Sequence, residues 1–102
     1  MNTYTSENVD SFELAEANDG KLVFSVMPLM ETAYYLAGAK LSQTDDAVEV
    51  RLVRCGLNET CEVDVLATVA QGSNEPYKIE MPMTDKSIVV VYGDDVRRAV
   101  YP

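Results

Sequence analysis

The chain has 102 residues, with 17 Asp and Glu against 8 Lys and Arg for a formal charge of −9; 47% of it is apolar and 25% charged. That is globular rather than disordered composition, enough for one hydrophobic core, and its negative field repels phosphate backbones, so nucleic acid is not an expected ligand. No run approaches the roughly 20 apolar residues of a membrane helix, so membrane insertion is not expected either.

In chain order, the start MNTYTSENVDS is polar rather than basic and then apolar, and reads as a flexible tail over 1–11 without a signal peptide. A single domain is expected over 12–102. Phe12 and Leu14 alternate with polar neighbours, Asn18-Asp19-Gly20 signals a turn, and Leu22, Phe24 and Val26 alternate again, which predicts a hairpin closed by Pro28. Over 29–41 two readings stand. Ala33, Tyr35, Ala37, Ala39 and Leu41 alternate as a strand, while Leu29, Ala33, Leu36, Ala37 and Lys40 have helical spacing behind Pro28. The strand is preferred; a helix there would make the fold α+β.

After the turn at Thr44-Asp45-Asp46, Val48, Val50 and Leu52 predict a half-buried strand, and Val63, Val65, Ala67 and Val69 another. Residues 71–76 read as a loop. Tyr77, Ile79, Met81 and Met83 share one face, with Pro82 marking an edge or an end. Ile88-Val89-Val90-Val91-Tyr92 is apolar on both faces, the mark of a strand in the middle of its sheet. Gly93-Asp94-Asp95 ends it, and Val96 to Tyr101 forms a last strand or one helical turn. About seven short strands at turn-separated intervals predict an all-β fold, a small antiparallel β-sandwich, immunoglobulin-like in architecture alone.

Cys55 and Cys61 bracket a short turn and are candidates for a disulfide, which by loop entropy would contribute about 2 kcal/mol. Placed directly opposite in a hairpin, they would set Leu52 against Asp64 and Val48 against Thr68, apolar against polar. Either a bulge intervenes, or the chain crosses between sheets here with the bridge clipping the crossover. A disulfide would place the chain outside the cytoplasm, and reduced thiols inside it. A C-x5-C turn lacks the helix N-terminus of a redox dithiol, and two thiols without a histidine make a poor zinc site. Asn58-Glu59-Thr60 matches the N-glycosylation pattern.

Asp45, Asp46, Asp94 and Asp95, with Asp19, occupy predicted turns and are calcium candidates if those turns gather at one end of the sandwich, although no D-x-D-x-D-G loop is present. Met27, Met30, Met81 and Met83 read as core filling rather than a soft-metal site. Tyr34, Tyr35, Tyr92 and Tyr101 are the candidates for contact with a partner, since tyrosine offers a rigid apolar body with a polar tip. Adjacent strand residues face opposite ways, so one of Tyr34 and Tyr35 should be core and the other exposed.

The chain lacks histidine, the commonest general base, and has no nucleophile elbow or phosphate loop. No enzymatic activity and no cofactor are therefore expected. The function expected is a non-catalytic binding or structural module that meets another protein or a glycan through loops or an edge strand, self-association included. The alternative is an acidic cytosolic inhibitor or nucleic-acid mimic occupying a basic groove of a partner protein.

Overall fold

β-branched and aromatic residues at a two-residue period, interrupted by Gly, Pro and Asp, favour strands over helices throughout. The computed structural model describes residues 3–18, 20–29, 33–68 and 76–101. After one 3-10 turn at Ser6–Asn8 they form eight strands: β1 (Val9–Asn18), β2 (Lys21–Pro28), β3 (Tyr34–Gln43), β4 (Ala47–Gly56), β5 (Val65–Thr68), β6 (Tyr77–Pro82), β7 (Ser87–Val91) and β8 (Arg97–Tyr101). Asp19, Met30, Val69 and the loop residues 71–75 lie outside the described residues.

The strands follow one another as β1-β2-β6-β5-β3-β4-β7-β8, bent into a nearly closed, barrel-like sandwich in which the outer strands β1 and β8 draw near each other. The all-β sandwich stands, with one parallel pair, β4–β7, of which local alternation carries no sign. β5 makes the corner. Val65 and Leu66 pair with β3, whereas Ala67 and Thr68 pair with β6, so four residues pass the chain from one sheet to the other.

Phe12, Leu22, Phe24, Val26, Leu36, Ala39, Val50, Leu52, Ile79, Ile88 and Val90 fill the interior, with the Phe12 and Phe24 rings 5.2 Å apart. The helix reading of 29–41 is excluded over its described part, where Tyr34 to Leu41 lie in β3. A bulge between Leu36 and Gly38 reverses the alternation, so Leu36 faces the core together with Ala39 and Leu41. β7 does lie inside its sheet, between β4 and β8. Leu14 and Met83, expected on core faces, are exposed: Leu14 keeps its register opposite buried Phe24 but lies on the outer strand β1, and β6 has ended before Met83.

The expected tail over 1–11 is corrected for its described part. Tyr4 is 1% exposed and Val9 is buried. The β4–β7 ladder stops at Val50 and Val90, and the gap beyond is filled by Thr3 and Tyr4. Thr3 bridges to Val53, the Tyr4 N–H donates to the Leu52 carbonyl at 3.2 Å, and the Gly93 N–H donates to the Tyr4 carbonyl at 2.8 Å. The Ser6 N–H and hydroxyl then donate to the two Asp94 carboxylate oxygens at 3.0 and 2.7 Å. A tyrosine ring after polar residues gives no periodic signal, so only its partners, half a chain away, reveal it as core.

Candidate functional site

Strand directions sort the connections into two ends. β2 ends and β3 begins at one end, where β4 also ends, β7 turns into β8, and the Tyr4 segment sits. The β1–β2 and β3–β4 turns and the start of β7 occupy the far end.

At the first end Cys55 and Cys61 lie at disulfide distance, with Cα atoms 6.0 Å apart. They do not face each other in a hairpin. β4 and β5 flank β3 on opposite sides, so residues 57–64 pass over β3, and the bridge clips that crossover at its start. Cys55 lies on the outer face of β4 opposite Tyr35, yet it is fully buried, because the crossover covers it. The chain lands on β3 through Asp64, whose N–H donates to the Ala39 carbonyl at 2.9 Å and whose carboxylate accepts the Leu41 N–H at 2.7 Å. Gly38 permits that landing: a Cβ there would run into the Val65 carbonyl and the Val63 side chain.

Around this clip the end is apolar and exposed. Tyr35 is 38% exposed, Leu57 62%, Leu29 49% and Val96 43%, and each lies at or just beyond a strand terminus of this end. The Leu57 N–H holds the Ala33 carbonyl at 3.1 Å, fixing the crossover to the start of β3. Tyr34 is half-buried under the Arg54 guanidinium, which stacks 3.6 Å from its ring centroid. A cavity of about 320 Å³ lies between Tyr34, Leu57 and Glu59. A second, of about 500 Å³, lies between the crossover and β3 and β4, where Lys40 and Arg54 share the lining with Glu59 and Glu62.

The candidate tyrosines are not one surface. Tyr34 and Tyr35 divide as core-side and outward residues, but Tyr92 is 5% exposed and belongs to the core. Burial lifts its phenol above the usual range, with Arg98 beside it pulling the other way. Tyr101 packs against the core at the far end, opposite Ile88. The aspartates do not gather either. Asp45 and Asp46 precede β4, Asp94 and Asp95 follow the parallel strand β7, and so the two pairs stand at opposite ends. Asp94 is committed to Ser6, whose two hydrogen bonds hold its carboxyl below the ordinary value, and Asp95 has φ 65° in a turn closed by its N–H donating to the Tyr92 carbonyl at 3.0 Å. Asp19 lies outside the described residues. Among the described residues no group of three or more His, Cys, Asp or Glu could hold a metal ion, and no helix is long and apolar enough to cross a membrane. Asn58, Glu59 and Thr60 are all exposed on the crossover.

Sequence reasoning overlooked Leu57 and Arg54. Both had a signal: Leu57 is the one apolar residue between the cysteines, and Arg54 continues the inward parity of Val48, Val50 and Leu52, a position where a cation needs an aromatic or acidic partner. No family model, curated protein or solved structure matches the chain.

Proposed function

We propose that this domain is a non-catalytic binding module, acting in an oxidising, extracytoplasmic compartment, and that the disulfide end is its contact surface for a protein or glycan partner. The observation that carries the reading is the concentration of exposed apolar side chains there: Leu29, Tyr35, Leu57 and Val96, of the seven exposed large hydrophobics among the described residues. Soluble domains leave contiguous apolar surface open mainly where something docks. The Cys55–Cys61 clip and the Arg54–Tyr34 stack hold this surface in shape before a partner arrives, which lowers the ordering cost of binding. The absence of histidine from the chain supports a role without acid–base chemistry.

The test is site-directed photo-crosslinking in the native source, with the photoreactive residue at position 35 or, as the control, at position 45 on the far end. A discrete adduct from position 35 alone is expected. Equal adducts from both positions, or none from either, overturn the reading. Thiol trapping at lysis followed by intact-mass measurement tests the compartment: two alkylated cysteines count against it.

A further inference from the structure

The two sulfurs of the clip stand in different surroundings. Cys55 is fully buried under the crossover, and the Glu59 carbonyl oxygen lies 3.6 Å from its sulfur. Cys61 is half-buried and lines the cavity of about 500 Å³ between the crossover and β3 and β4. Thiol–disulfide exchange needs a thiolate to reach one sulfur and drive out the other, so access decides which sulfur is attacked. Solvent reaches this bridge from the Cys61 side.

The charges along that approach are of both signs. Lys40 and Arg54 line the cavity together with Glu59 and Glu62, so a carboxylate and an ammonium each meet an opposite charge within it. Its volume lies in the range of small-molecule sites. We propose that Cys61 is a thiolation site for a small zwitterionic thiol, an amino acid or short peptide that carries its own carboxylate and ammonium groups. The incoming thiolate sulfur bonds to the Cys61 sulfur, the Cys55–Cys61 bond breaks, and its electron pair leaves on the Cys55 sulfur, which takes a proton from water. The thiol is oxidised to one half of a mixed disulfide and Cys55 is reduced to a thiol, so no further oxidant or reductant enters. The product opens the clip where the crossover begins and frees the segment that carries Leu57. Exchange at Cys61 requires the closed bridge but no partner at the disulfide end, so the contact surface proposed above stands or falls separately.

For the test, purified oxidised protein is incubated at about pH 8 with glutathione, or with uncharged mercaptoethanol as the control, and quenched in acid, which stops exchange by protonating thiolates. Intact mass and peptide mapping should place the glutathione adduct on Cys61, with Cys55 free. Glutathione is a net anion and the chain carries −9, so long-range repulsion alone would make it the slower reagent. Corrected for thiolate fraction, it should instead react about tenfold faster than mercaptoethanol. Lys40→Gln/Glu62→Gln removes one charge of each sign and keeps the net charge at −9. That variant should lose most of the preference, while its mercaptoethanol rate and melting temperature hold. An adduct on Cys55, no adduct at all, a glutathione rate at or below the control, or a preference that survives the double substitution overturns the proposal.

Discussion

Glu49 shows how a single surface residue acquires a role that its place in an alternating pattern hides. Its side chain is only 14% exposed, because it lies over Val89 with a guanidinium on either side. Its hydrogen bond with Arg97 is the chief cause that holds its carboxyl below the ordinary value, with Arg51 adding to it. A carboxylate whose folded pKa is depressed supports the fold above its unfolded value and loses that support as pH falls through the folded one. Urea unfolding of wild type and Glu49→Gln should therefore differ at about pH 7 and converge below the ordinary glutamate pKa of about 4.3. A difference that persists at about pH 3 would mean that Glu49 acts through packing alone.

Among the elements, the crossover and the Tyr4 segment depend on contacts far away in sequence, and they are where local reading failed. The hairpin of β1 and β2 was legible because Leu22, Phe24 and Val26 alternate beside a glycine turn, and all three are fully buried. β3 was half legible: its extended form could be read from alternation, but the bulge that reverses its faces could not, since a bulge leaves no mark in composition. At that bulge Gly38→Ala should destabilise the domain by about 1–3 kcal/mol in chemical denaturation, because the obstructing atom is the Val65 backbone carbonyl, which has little freedom to yield. A neutral Gly38→Ala would mean that the crossover can lift. Tyr4→Ala should cost about 3–5 kcal/mol, the usual loss for a buried aromatic, whereas a true tail would lose nothing.

At the scale of the molecule, the all-β sandwich was readable from strand count and turn spacing, yet the ordering of strands was not. Which strand lies beside which depends on long-range pairing, and the parallel β4–β7 pair joins residues some 40 positions apart. The candidate site was readable in its chemistry, cysteines with a tyrosine pair, but its extent was not: Tyr92 and Tyr101 left it, while Leu57 and Arg54 joined it. Among the described residues the carboxylates are divided between the two sides of the sandwich, with Glu13 and Glu16 on β1 and Glu49 on β4. Replacing both cysteines by alanine should lower global stability by about 2 kcal/mol, since the ring is short. Hydrogen exchange should accelerate most over 56–64, where the clip holds the crossover; uniform acceleration over the whole barrel would mean that the bridge supports the core itself.

The seat of Tyr4 also sets a schedule for biosynthesis. Tyr4 is synthesised well before the residues that build its place, Leu52, Val53 and Gly93. At about 5–20 residues per second the growing chain carries this aromatic without its seat for about 5–20 s. The seat can close only once Gly93 has been made, and in a nascent chain stalled before Gly93 the Tyr4 segment should remain sensitive to protease.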